Sequence, residues 1–182
     1  MLALSGCARE AAGDYPASNN NDCLPDVTLI DQHGNAISLA SLKGKPVLID
    51  FIYTSCASTC PVLTAKIAAV ARELGPELNA GVTIVSITLD PEHDGPAQLA
   101  SYAKSQGADD KGWLFLTGKP AQIDQVLALF KLRRMRESDG SIMHSVSAFL
   151  LGPDGHQIRQ YNALDVSPKA VAADIERARS NS

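Results

Sequence analysis

The chain is 182 residues long, 45% hydrophobic and 20% charged, with a formal net charge of −4. A chain of this size and composition folds around one sizeable core, so a single domain is expected, with disorder confined to the ends. The slight acidic excess supplies no broad positive field and argues against nucleic acid as a partner, and no apolar run approaches the roughly 18 to 20 residues of a membrane-crossing helix.

At the start of the chain, Leu4-Ser5-Gly6-Cys7 resembles the end of a bacterial lipoprotein signal whose basic start and most of whose apolar stretch are missing. Cys7 would then be the lipidated first residue of the mature protein. Gly13, Pro16, Ser18, Asn19, Asn20 and Asn21 crowd the tract that follows, which is the composition of a flexible tether. Residues 1–23 are therefore expected to be a truncated lipoprotein signal and linker, and 24–182 the folded domain. The lipid would hold that domain to a membrane on the periplasmic side of the cell envelope.

Within the domain, Thr28-Leu29-Ile30 and Ala36-Ile37-Ser38 flank a turn at Asp31-Gln32-His33-Gly34-Asn35 and predict a hairpin capping one sheet edge. The run 47–53 (VLIDFIY) is almost continuously apolar, as a strand buried on both faces must be. From Pro61 the period changes, with Leu63, Ile67, Val70, Ala71 and Leu74 on one helical face until Gly75-Pro76 stops it. A second buried strand over 82–89 and a helix from Pro96 to about Gln106 follow.

Residues 113–116 read as a short strand, and Pro120 opens a helix with Ile123, Val126, Leu127 and Phe130 on one face. Strands over 145–151 and 157–161 then bracket the Pro153-Asp154-Gly155 turn, before a last helix from about Pro168 to Arg179. Right-handed crossovers give this alternation a mostly parallel core, and the late hairpin adds antiparallel strands. The expected fold is α/β and thioredoxin-like: a central mixed sheet flanked by helices, with an N-terminal β-hairpin.

Cys56-Ala57-Ser58-Thr59-Cys60-Pro61 falls between a buried strand and a helix start, where open α/β sheets place their ligand crevices. Pro61 disfavours helical geometry at Cys60, so Cys60 is expected at the helix cap and Cys56 in the loop before it. Such a loop brings two β-carbons within about 4 Å for a disulfide, or holds both sulfurs about 2.3 Å from one metal. The helix N-terminus is expected to lower the thiol pKa of Cys60 and favour its thiolate.

Asp50-Phe51-Ile52-Tyr53-Thr54-Ser55-Cys56, running on through Cys60-Pro61, is similar to the signature of the Sco (SenC-type) family. Leu89-Asp90-Pro91 with Asp94, then His144-Ser145 ahead of residues 149–155, extend the resemblance over residues 27–178. It implies that Cys56, Cys60 and His144 bind copper, as Cu(I) or Cu(II). It also implies that copper is delivered to, or the thiols maintained at, the CuA site of a respiratory cytochrome c oxidase during assembly. The implied partners are the CuA-containing subunit, with another copper chaperone or a thioredoxin-like reductant beside it. Two soft thiolates suit Cu(I), and one imidazole makes the set acceptable to Cu(II).

The alternative is an envelope thiol-disulfide oxidoreductase acting through the Cys56/Cys60 pair, one thiolate attacking a partner disulfide and the other resolving the mixed intermediate. The paired cysteines argue against a thiol peroxidase, which needs a lone reactive one. Where the family usually has Arg or Lys, this chain has His93, either an extra ligand or an exposed loop histidine, and Asp90 reads as a loop-capping acceptor. Met143 is expected to pack, His33 and His156 to lie solvated in turns, and the basic run Lys131, Arg133, Arg134 and Arg136 to form a solvated edge strand. With Cys7 lipidated and the motif pair committed, Cys23 is left over, either buried or bridging another molecule.

Overall fold

The structure, a computed structural model, describes residues 23–108, 112–143, 146–162 and 167–180. The N-terminal hairpin pairs β1 (Thr28–Asp31) with β2 (Ala36–Ser38), and a short 3-10 turn, Leu39–Leu42, leads into β3 (Val47–Ile52). Then come α1 (Thr59–Leu74), the single turn α2 (Glu77–Ala80), β4 (Thr83–Thr88), α3 (Pro96–Ser105), β5 (Trp113–Thr117) and α4 (Pro120–Leu129). A two-residue pair, β6 (Met135–Arg136) and β7 (Ile142–Met143), precedes β8 (Ser147–Leu151), β9 (Gln157–Asn162) and α5 (Pro168–Ser180).

Seven strands form one sheet in the order β2-β1-β5-β4-β3-β8-β9, with β3, β4 and β5 parallel and the outer pairings antiparallel. Every residue of β3 and β4 is buried, which is why both read as unbroken runs in the sequence. Because side chains alternate along a strand, the two faces carry different contents. Phe51 and Phe149 meet Phe130, at the end of α4, on one face. Asp50, Ser86, Trp113 and Phe115 point to the other face, where α1 and α3 are joined by the Thr64–Tyr102 hydroxyl contact of 2.9 Å and α5 packs on α1.

This is the thioredoxin-like architecture expected, with the hairpin at one edge and helices on both faces. The apolar stripe of α1 is buried at Leu63, Ile67, Val70, Ala71 and Leu74, and each of its larger side chains contributes roughly 1.5 to 3 kcal/mol. Gly75 ends the helix at φ 53, a left-handed conformation that glycine adopts without a Cβ penalty, and its N–H donates to Ala71 O at 3.1 Å.

Two regions depart from expectation. The basic run is not a solvated edge strand of the main sheet: Arg136 lies in the separate β6–β7 pair, Arg134 just before it, and both are held by carboxylates described below. His156 is not solvated either, since it is 6% exposed and its backbone bridges to Cys23, whose strand-like approach covers the β8–β9 turn.

Candidate functional site

β3 and β4 run in parallel, so the loops leaving their carboxyl ends lie side by side, and these loops build the site. The first carries Cys56, whose N–H donates to Tyr53 O at 3.1 Å. The second, residues 89–94, carries Asp90 and Asp94. α1 begins at Thr59, so Cys60 lies inside its first turn rather than at the cap. Pro61 is tolerated there because first-turn N–H groups have no intrahelical partner for proline to lose. The helical turn places the Cys60 N–H 3.4 Å from Cys56 Sγ, with Thr59 Oγ1 at 3.6 Å from the same sulfur.

Both thiols are free and buried, and their acidities are pushed apart. Burial alone would raise Cys56. The backbone N–H groups of Cys60 and Ser58, the Thr59 hydroxyl and the Cys60 thiol outweigh it by stabilising the thiolate, and Cys56 is lowered to about 6. Cys60, 1% exposed, goes the other way: burial raises it, and its hydrogen bond to Cys56 and the charges of Cys56 and Asp50 raise it further. The expectation that the helix terminus would activate Cys60 is therefore reversed. The first-turn N–H groups aim at the sulfur outside the helix, Cys56, while the thiol inside the helix is desolvated.

Asp50, a member of the buried strand that the motif reading gave no role, is 0% exposed. Ser86 Oγ donates to its Oδ1 at 2.6 Å, and the Trp113 indole N–H donates to Ser86 Oγ at 2.9 Å. Its Oδ2 has no hydrogen-bond partner among the described residues. Burial outweighs the Ser86 bond and raises the carboxyl from 3.8 to about 7. The signal for it was present in the sequence, as a lone acid inside an apolar run.

Tyr53 links the cysteine loop to the β6–β7 hairpin. Burial raises its phenol, a hydrogen bond with the Cys56 side chain raises it further, and a bond from the Ile142 backbone works against both. Ile142 thus approaches the same hydroxyl that touches Cys56, two positions before His144 in the sequence. Asp94 fixes the loop from the other side: its carboxylate accepts Thr54 N–H at 3.0 Å, Thr54 Oγ1 at 2.5 Å and Thr88 Oγ1 at 2.6 Å.

His144 and Cys7 lie outside the described residues. Among the described residues no group of three or more His, Cys, Asp or Glu side chains forms a metal cluster. His93 stands away from the thiols in role, its side chain 70% exposed and its Nδ1 2.8 Å from Asp90 Oδ1. Asp90 is an acceptor as expected, taking Arg136 as well as His93. His33 is exposed, and Cys23 is half-buried. The donor chemistry of the pair fits a soft metal: one sulfur is ionised near neutrality, and the second surrenders its proton when a cation replaces it.

Comparison with known proteins gives a consistent answer. The family model described as SCO1/SenC matches residues 16–180. A SCO1 protein homolog of Bacillus subtilis is 36% identical over 155 residues, covering 83% of this chain and 80% of that protein. The copper-bound structure of ScoI from Bradyrhizobium japonicum superposes with a TM-score of 0.72 at 34% identity, covering 84% of this chain and 96% of that one. BsSco, described as a Sco-family cytochrome c oxidase assembly protein with a disulfide switch, gives a TM-score of 0.76 at 34% identity, covering 88% of this chain and 95% of that one.

Proposed function

The chain belongs to the SCO1/SenC family, and on that premise we propose that it is a copper-binding chaperone of cytochrome c oxidase assembly. Copper is its cargo, held by Cys56, Cys60 and His144 and delivered to the CuA site of the oxidase, or the same thiols maintain that site reduced. The observation that carries this reading is the pair of free, buried thiols held in one loop and the first turn of α1, with the Cys60 N 3.4 Å from Cys56 Sγ. The copper-bound relative, ScoI of Bradyrhizobium japonicum, supports the identity of the metal. Leu4-Ser5-Gly6-Cys7 supports a lipid anchor at Cys7, and hence an envelope location on the periplasmic side.

Anaerobic copper titration of the reduced protein tests the reading. One copper ion per chain is expected, lost in Cys56→Ser and in Cys60→Ser, with His144→Ala weakening Cu(II) far more than Cu(I). Full copper affinity in the serine variants would sink it.

A second reading rests on the split thiol acidities. The Cys56 thiolate attacks a partner disulfide, forming a mixed disulfide and releasing one partner thiolate. Cys60, giving up its proton, then attacks Cys56 Sγ and releases the second. The partner gains two electrons and the pair ends as a disulfide. Rapid turnover of this kind, with a dithiol reductant resetting the Cys56–Cys60 pair, by a protein indifferent to copper would select it.

A further inference from the structure

Residues 89–94 touch both halves of the site through contacts that neither reading above employs. At one end Asp94, 2% exposed, accepts three hydrogen bonds from Thr54 and Thr88, so the cysteine loop is tied to the end of β4. The segment is internally rigid, because His93 N–H and Asp94 N–H both donate to Asp90 O, at 3.0 and 2.8 Å, and Asp90 N–H donates to Thr88 Oγ1 at 2.9 Å. At the other end Asp90 Oδ1 accepts Arg136, from β6, and Arg134 reaches Leu89 O at 3.2 Å and Glu92 Oε2 at 2.9 Å.

Beyond that segment, the hairpin is held by Arg134 Nε on Asp124 Oδ1 of α4 at 2.9 Å and by the Ile142 backbone near Tyr53. β6 and β7 share only the register pairs Met135 with Met143 and Arg136 with Ile142, and so short a ribbon is not stable alone. Ile142 is buried, but one apolar side chain fixes a position loosely, whereas a guanidinium on a carboxylate fixes it in direction as well. The Asp90 side chain is 4% exposed against 40% for Arg136, so removing the arginine leaves a buried charge with His93 as its remaining side-chain partner.

We propose that residues 89–94 form a strut that sets the separation between the cysteine loop and the β6–β7 hairpin, with Asp90 and Arg136 as positioning residues for the donor at position 144. The inference rests on the copper reading insofar as His144 is that donor.

Two measurements on the reduced full chain test it, using Arg136→Gln, Arg136→Lys, Asp90→Asn and His144→Ala. In the metal-free protein, Arg136→Gln and Asp90→Asn are expected to speed amide hydrogen exchange over 135–143 while α1 and β3 keep their protection, and Arg136→Lys to retain most of it. In copper titrations, Arg136→Gln is expected to weaken Cu(II) by about ten-fold, in the direction of His144→Ala, and to leave Cu(I) affinity unchanged. Equal weakening of both ions, or wild-type exchange and Cu(II) affinity in Arg136→Gln, overturns the strut. If His144→Ala itself binds Cu(II) like wild type, the copper reading falls, and the exchange data alone decide whether the strut holds the hairpin.

Discussion

Cys56 and Cys60 share one loop and one helical turn, yet the first has N–H and O–H donors around its sulfur and the second has apolar cover. Iodoacetamide labelling of the reduced, metal-free protein should therefore modify Cys56 with a midpoint near its value of about 6 and leave Cys60 untouched at neutral pH. Labelling of Cys60 first would contradict the assignment. Asp50 gives a second prediction. Its carboxyl is raised from 3.8 to about 7, so between those values the unfolded chain releases a proton that the folded chain keeps. The stability it confers is complete below the lower value and is lost as pH rises through the upper one. Asp50→Asn should remove that slope, gaining up to about 4 kcal/mol over wild type at pH ~8 relative to pH ~4 in urea unfolding. Parallel pH profiles for the two proteins would show that the carboxyl is ionised when folded.

Among the elements, β3 and β8 meet the end of α4 through three rings: Phe130 lies 5.4 Å from Phe51 and 4.5 Å from Phe149, centroid to centroid. Phe149→Ala removes one ring of that cluster and should cost roughly 3 to 5 kcal/mol, seen as a lower denaturant midpoint at unchanged m-value. A loss under about 1 kcal/mol would mean that neighbouring side chains refill the space. The strands and helices of this core were readable because their apolar periods are long: six consecutive buried residues in β3, a four-turn stripe in α1. The β6–β7 pair was not, since two residues carry no period and the polar sequence around Met135 reads equally as loop. His156 failed for a related reason. Beside Gly155 it has the local chemistry of an exposed turn, and its burial comes from the distant segment at Cys23. At Cys60 the proline that follows is accommodated within the first helical turn, so the cysteine lies two residues past the cap.

Over the whole molecule, the candidate site is assembled by the topology rather than by any one segment. Cys56 and Cys60 were legible as a pair because they lie within one motif. The partners of the cysteine loop were not, because Asp94 meets Thr54 across 40 residues of sequence and Arg136 meets Asp90 across 46. Such pairings appear only once β3 and β4 lie parallel and bring their carboxyl ends together. No helix among the described residues is long and apolar enough to cross a membrane. The sheet also fixes the neighbourhood of Trp113, the one tryptophan in the chain. Its indole sits two hydrogen bonds from the acid whose charge is felt at the inner sulfur. The fold has thereby set a native fluorophore beside its buried acid, so ionisation of Asp50 is expected to change the indole emission, with nothing attached to the protein.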